Sequence, residues 1–428
     1  MERKLCVGVV ADDITGANDI GAMLAKNGYV SVVISLTDQP AKADFGGADA
    51  LIINTGSRLD TPEDAARKSA EAARLLNALG CERIHTKTCS VFRGNIGASF
   101  DAVQDAIGAR CSMVVLGFPA NGRTTRHGRH YVRGVPLEQT SFAQDPVNPM
   151  RLSRLKDIIA QQSSRPCAEF TFEWLDQPLE AQRVHLAALK ADARYVIFDV
   201  RDDEDLRTIA RLIRDERSIA GASAICAALP EAWGCRGEAL PCRFQAGGGP
   251  GVLVVSGSLT PQTRAQTAYL SQRNVPCVTL DPASLLSGGT EAFLAGLADE
   301  LAQYLTSGRD VLLCADQDDA RIHAACEKAN VGSREIGRRI TEALGSVARM
   351  AYRRSGVRRI LVAGGETSDG VSAALRVRTM RIWQELEPGI PLMTGKTADG
   401  EELLLVFKSG SFGSPHFLYD TMLQMHAQ

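Results

Sequence analysis

Residues 8–21 read Gly-Val-Val-Ala-Asp-Asp-Ile-Thr-Gly-Ala-Asn-Asp-Ile-Gly. The stretch overlaps the end of an apolar run, Leu5–Val10, and leads into a helical pattern. Asp12 and Asp13 therefore stand where a strand ends and a helix begins. In an open α/β sheet that edge is where ligands bind. Paired carboxylates there suit an incoming hydroxyl or a metal ion better than a bare phosphate. The segment has glycines but no GxxxxGK(S/T) loop. A purely structural reading is that one of the two acids caps the helix, which takes a single residue.

Outward from this stretch, short β-rich runs alternate with longer helical ones, the pattern of parallel sheets covered by helices. The first half offers strands at Leu5–Val10, Val30–Ile34, Ala50–Asn54, Arg83–Thr86, Ser112–Gly117 and Tyr195–Asp199, with helical segments at Thr61–Leu79, Ser153–Gln162 and Leu206–Arg217. Thr61-Pro62-Glu63-Asp64 is a helix start: a cap, a proline in the first turn, then acids at the positive dipole end. The run Arg201-Asp202-Asp203-Glu204-Asp205 reads as another exposed helix start. Gln245-Ala246-Gly247-Gly248-Gly249-Pro250-Gly251 sustains neither helix nor central strand and marks a boundary. A fresh α/β pattern follows, with strands at Val252–Val255, Val275–Leu280, Asp310–Cys314, Arg359–Val362 and Glu402–Phe407. The expected fold is α/β in two domains, 1–245 and 252–428. Each is a mainly parallel sheet flanked by helices, and the active site is expected in the cleft between them.

With 428 residues the chain exceeds the usual single-domain size. A net charge of −2 gives no footprint for nucleic acid or a membrane surface, and no apolar run reaches membrane-spanning length. Eleven scattered cysteines without a Cys-x-x-Cys, behind a start that reads Met1-Glu2-Arg3-Lys4, imply reduced thiols and a cytoplasmic location. His127 and His130 lie three apart without nearby cysteines, which argues against zinc.

Three glycine-bearing turns at strand ends in the second half suit phosphate, because glycine admits close backbone approach and a helix start offers unpaired N–H groups. They are Val255-Ser256-Gly257-Ser258, Val362-Ala363-Gly364-Gly365-Glu366-Thr367-Ser368 and Phe407-Lys408-Ser409-Gly410-Ser411-Phe412-Gly413. In the first half, polar loops follow successive strands: Asn54-Thr55-Gly56-Ser57-Arg58, Thr86-Lys87-Thr88-Cys89-Ser90, Gly94-Asn95-Ile96-Gly97 and Pro119-Ala120-Asn121-Gly122-Arg123-Thr124-Thr125. With Asp12 and Asp13 they converge on one sheet edge. Arg58 could grip a carboxylate through two N–H groups, and Lys87 could hold it as a point charge.

Four of these segments, Ala11–Ala17, Gly94–Gly97, Gly364–Ser368 and Lys408–Gly413, resemble the four-carbon acid sugar kinases along essentially the whole chain. The resemblance implies an N-terminal substrate domain and a C-terminal nucleotide domain. It implies transfer of phosphate from ATP, with Mg²⁺, to the terminal hydroxyl of threonate, erythronate or 3-oxo-tetronate. By that resemblance Asp12, Arg58, Lys87 and Ser90 touch the acid sugar, and Ser258, Gly364, Gly365, Glu366, Thr367 and Gly410 touch ATP. Asp12 or Asp13 would accept the hydroxyl proton. Asn54–Arg58 and the segment from Gly134-Val135-Pro136-Leu137 to Asp145-Pro146 look most like D-threonate kinases. Gly56 stands where Glu is more frequent, and Thr88-Cys89 replaces Ile-Asp, so the acid and its stereoisomer stay open among D-threonate, D-erythronate, L-threonate and 3-oxo-tetronate. The metal's ligands are not read from the sequence, and a homodimer remains open. A reading from another class is a non-catalytic sugar-acid-binding protein, which would not need the phosphate loops. A dinucleotide oxidoreductase needs a GxGxxG that Gly16…Gly21 does not supply.

Overall fold

A computed structural model describes residues 5–36, 45–145, 148–234, 241–242, 244, 251–286, 290–316, 324, 326–327 and 330–428, the side chains of 333 and 334 excepted. The start Met1–Lys4, residues 245–250 of the expected boundary and Pro146 lie outside the described residues. The chain divides into two compact units, Met1–Leu240 and Pro241–Gln428.

The first unit contains β1 (Val7–Ala11), β2 (Ser31–Ser35), β3 (Ala50–Asn54), β4 (Arg83–Lys87), β5 (Ser112–Val115), β6 (Arg123–Arg126), β7 (Arg129–Val132), β8 (Val135–Pro136), β9 (Cys167–Phe170), β10 (Tyr195–Phe198) and β11 (Ser218–Gly221). Eight of these form a parallel sheet in the order β2-β3-β1-β4-β11-β5-β10-β9. From β1 the chain runs to β2 and β3 on one side, then returns to β4 on the other. That reversal beside β1 opens the crevice in which such sheets bind ligands. Helix Pro62–Ala78 starts as its sequence dictates, Thr61 accepting from the Asp64 N–H, and it buries Ala65, Ala72, Ala73 and Leu76.

The strands read from the sequence are all present, within two residues at most ends. In this unit β9, β11 and the β6–β8 meander are absent from the expected strands. β11 is only Ser-Ile-Ala-Gly, too short and small to announce a strand, yet it sits fully buried between β4 and β5. Its Gly221 has φ +123° and no room for a Cβ beside the Val115 carbonyl. β6, β7 and β8 form a separate antiparallel meander. Its turns, His127-Gly128 and Arg133-Gly134, hold both residues at positive φ, which is tight-hairpin geometry. The meander also shortens the expected helix 153–162 to Leu155–Ile159, because the His130 N–H donates to Ser153 O and the Leu155 N–H to Gly128 O. Helix Asp203–Ile213 starts in the Arg201–Asp205 run as expected, with Asp202 capping the Glu204 and Asp205 N–H groups, and it stops before Arg217, whose carbonyl receives the Ile84 N–H.

The second unit contains β12 (Val252–Ser256), β13 (Cys277–Leu280), β14 (Val311–Ala315), β15 (Arg359–Ala363), β16 (Val377–Glu387), β17 (Ile390–Thr397) and β18 (Glu402–Lys408). The order β13-β14-β12-β15-β18 is parallel, and β17 and β16 continue it antiparallel. The β16–β17 hairpin, turning at Pro388-Gly389, is absent from the expected strands although its dipeptide signals a turn. Val252, Val254, Leu361, Leu404 and Val406 pack with Phe417 and Leu418 of helix Phe417–His426 in its core. No helix among the described residues is long and apolar enough to cross a membrane. The ten described cysteines are free.

Candidate active site

Parallel register levels the strand ends. Ala11 pairs with Asn54 on one side and with Lys87 on the other, so the residues just past β1, β3 and β4 emerge side by side. The 55–58 loop is tied down by the Thr55 N–H to Ala11 O at 2.9 Å and the Ser57 N–H to Asp12 O at 2.9 Å. Arg58 then turns back over the aspartates. Its Nε donates to Asp12 Oδ2 at 2.9 Å and its Nη2 to Asp12 Oδ1 at 2.7 Å, while Nη1 bonds Asp13 Oδ2. Of the five guanidinium N–H groups these contacts use three, leaving two for a ligand.

The two acids are not equivalent. Asp13 is the cap of helix Ile14–Ala25, accepting from the Gly16 N–H at 2.7 Å and the Thr15 hydroxyl at 2.9 Å. Asp12 has no such role. Burial pushes the Asp12 carboxyl above the ordinary range against the pull of Arg58. Burial acts on Asp13 too, but Arg58, Lys87 and the Thr15 and Gly16 hydrogen bonds outweigh it and hold that carboxyl low. Neighbouring carboxylates driven apart in this way divide labour: one stays charged and structural, the other exchanges protons.

Lys87 is buried, donating to Thr88 O at 3.0 Å with Asp19 Oδ2 at 3.4 Å. Its ammonium reaches the first turn of the helix because Gly16 has no side chain; a Cβ there would lie 3.1 Å from Lys87 Nζ. Ser223, just past β11, donates to the same Asp19 oxygen at 2.5 Å. A small cavity opens beside Asp12, lined by Ser57, Thr86, Lys87, Thr88 and Asn95. Asn95 joins two loops by donating to Ser57 O at 3.1 Å and Asp60 O at 3.0 Å. Arg93 Nε lies 3.5 Å from Cys89 Sγ. Burial raises that thiol, but Arg93 and Arg58 overcome the effect and hold it below its ordinary value. Asp19 and Ser223 escaped the sequence reading. The first lies inside a helix, and the second follows the strand that was not recognised.

Ser90 enters through its carbonyl, 2.9 Å from His130 Nε2, and His130 Nδ1 lies 3.1 Å from the Thr125 hydroxyl. Burial drives the His130 imidazole down to about 3 from 6.5, and His85 shifts equally for the same first reason. Between those values the unfolded chain binds the proton and the folded one does not, so stability is lost as pH falls below 6.5. The slope is about 1.4 kcal/mol per pH unit for each histidine. Urea titrations at pH 7, 6, 5 and 4 should show this acid limb flattened by about that slope in His130→Gln. Identical slopes in variant and wild type would remove His130 from the account.

In the second unit the same levelling recurs: Ser256 pairs with Ala363 and Ala363 with Lys408. Gly364 has φ +126°, and a Cβ there would lie 2.8 Å from Thr367 Oγ1 and 3.3 Å from Ser258 Cβ. A Cβ on Gly410 would collide with Ser258 Oγ. Ser258, Gly364, Thr367 and Gly410 thus meet at one point. Gly365 opens helix Gly365–Leu375, which has no side-chain cap, and Glu366 is exposed on its first turn. Thr260 and Thr263 donate to Gly410 O at 2.7 and 2.8 Å. Lys408, the cation of the third glycine loop, points inward. Its ammonium bonds Thr263 Oγ1 at 3.0 Å and Ser409 O at 3.1 Å, and burial pushes it down to about 7.

Among the described residues no group of three His, Cys, Asp or Glu side chains is placed to hold a metal ion.

Residues 7–229 match the family model of a sugar-binding N-terminal domain, and residues 253–418 that of a nucleotide-binding C-terminal domain. A 3-oxo-tetronate kinase of Cupriavidus necator is 33% identical, covering 99% of this chain and 98% of its own. A D-threonate kinase of Salmonella typhimurium is 32% identical, covering 97% of each. Among solved structures, a Salmonella typhimurium LT2 protein superposes with a TM-score of 0.82 at 28% identity, covering 97% of this chain and 98% of that one. A Haemophilus influenzae protein gives 0.74 at 26% identity, covering 98% and 99%.

Proposed function

Because the chain belongs to the four-carbon acid sugar kinase family, we propose that it transfers the terminal phosphoryl group of ATP to the 4-hydroxyl of a four-carbon sugar acid, D-threonate foremost. The observation that carries this reading is the unequal pair at the end of β1. Asp13 is fixed as a helix cap, while Asp12 is aligned by Arg58, raised in pKa and beside a polar cavity. Asp12 orients the substrate hydroxyl and takes its proton as the oxygen attacks phosphorus. Arg58, Lys87 and Ser90 bind the acid, and Arg58 keeps its two remaining N–H groups for that purpose.

ATP, entering with its magnesium ion, places its phosphates against Ser258, the Gly364–Thr367 turn and Gly410. The bare helix start offers N–H groups there, and side-chain-free glycines admit the anion. Transfer requires the phosphoryl group bound by the second unit to reach the hydroxyl bound by the first, with water excluded.

D-threonate is favoured by the Asn54–Arg58 and Gly134–Pro146 segments. The 33% identical 3-oxo-tetronate kinase supports 3-oxo-tetronate as a second reading. A coupled ADP-release assay over D-threonate, L-threonate, D-erythronate and 3-oxo-tetronate tests both. D-threonate should give the highest kcat/KM. The 3-oxo acid leading would install the second reading, and no turnover on any of the four would overturn the proposal.

A further inference from the structure

Arg58 cannot be the whole grip on an acid substrate, because its fork already closes on Asp12 and Asp13. Lys87 likewise has Asp19 beside it. An anion brought to this site needs a further cation. The meander supplies one. Arg123 opens β6 and is 8% exposed. Its Nη1 bonds the Asn121 carbonyl, but its Nε has no hydrogen-bond partner, and no carboxylate pairs with it among the described residues. Asn121 Nδ2, on the same turn, is a second buried donor without an acceptor among the described residues.

The turn lies on the side of the meander that meets the Cys89–Ser90 loop. Residues two apart on a strand share a face, and Arg123 and Thr125 are both buried. Thr125 bonds His130, and His130 bonds the carbonyl of Ser90. The face carrying Arg123 is therefore the one that meets the Cys89–Ser90 loop. Arg93 is in the same neighbourhood, but it has Cys89 and Asp145 for partners. Burial pulls the Arg123 guanidinium below its ordinary range. Arg133 and Arg93 add to that, and the Cys89 thiol opposes it. A buried guanidinium without a carboxylate partner is unfavourable. An arriving carboxylate would give it the bidentate partner it lacks.

We infer that Arg123, with Asn121 beside it, forms the seat for the carboxylate of the substrate. The inference rests on the sugar-acid reading above and assigns that acid's anionic end to the meander. The aspartates are then free to face the hydroxyl end. A small neutral polyol lacks the group this seat requires.

The test compares a four-carbon acid with its primary amide, in binding by calorimetry without ATP and in turnover with it. In wild type the acid should bind well ahead of the amide. Arg123→Gln should weaken acid binding and raise its KM about 10- to 100-fold, as expected for lost hydrogen bonds to a charge. Amide binding should barely move, and kcat at saturating acid should fall far less than KM rises. Arg123→Lys, which keeps the charge but not the fork, should fall between. It serves as the readout if Arg123→Gln fails to fold by thermal melting. An acid-to-amide ratio unchanged in either folded variant overturns the inference while leaving the kinase reading intact. Wild-type protein that neither binds nor phosphorylates any four-carbon acid overturns both.

Discussion

Asp12→Asn should lower kcat by about 10²- to 10⁴-fold, the range for losing a positioned general base, and leave ATP affinity essentially unchanged. The amide preserves the shape of the side chain and can still accept from Arg58 Nε, now 2.9 Å from the carboxylate. What disappears is the ability to take a proton, together with the second acceptor that Arg58 Nη2 uses. The pH profile makes the assignment specific. Burial holds the Asp12 carboxyl above the usual carboxylate range, so wild-type kcat/KM should rise with pH as that group ionises, and the variant should lose this limb. Asp13→Asn should behave differently. Both substitutions weaken an ion pair with Arg58, but only this one weakens a helix cap, worth about 1 kcal/mol, so the melting temperature should move more than with Asp12→Asn. Turnover of Asp12→Asn within a few-fold of wild type would remove Asp12 as the base. Loss of turnover in Asp13→Asn alone would move the role one residue along.

Gly364→Val should weaken ATP binding at least tenfold, as expected if one or more hydrogen bonds to a charged phosphate are lost. Two effects combine. The residue sits at φ +126°, where a β-branched side chain is strained, and a Cβ would lie 2.8 Å from Thr367 Oγ1 and 3.3 Å from Ser258 Cβ. The backbone must shift, and the shift moves the helix start that carries the N–H groups. Acid binding measured without nucleotide should be unaffected. Gly410→Ala should act in the same direction, since its new methyl group would collide with Ser258 Oγ. Titration of both variants with a non-hydrolysable ATP analogue checks this. Wild-type affinity in both would refute the phosphate role of these turns.

The sequence carried the parallel frame because parallel strands are buried on both faces and read as apolar runs. Val252–Ser256 and Arg359–Ala363 are of that kind, buried at every position. It did not carry β11, whose four residues lie deep in the sheet but have too little β-forming character to stand out. It did not carry the meander either, because β6 and β7 are rich in arginine and half exposed. Their His127-Gly128 and Arg133-Gly134 turns were the legible signal. At the site, residue types and loop positions could be read, but partners could not. Nothing in the order of residues says that Arg58 closes on both aspartates, that Asp13 rather than Asp12 caps the helix, or that Lys408 turns inward. Those follow from packing between segments far apart in the chain: Arg58 meets residues 45 and 46 positions away, and Lys408 meets Thr263 across 145.

The link from Thr125 through His130 to the Ser90 carbonyl has a consequence for how such a protein changes its diet. The small antiparallel element is attached to the rim of the first unit by this side-chain link and by single backbone bridges, Thr125 to Val200 and Arg129 to Arg154, not by membership in the main sheet. It can drift in sequence while the eight-stranded frame stays put. Chemistry at the hydroxyl end and taste at the carboxylate end would then evolve on separate pieces of polypeptide, and exchanging residues 119–136 between relatives is the direct way to transplant one without the other.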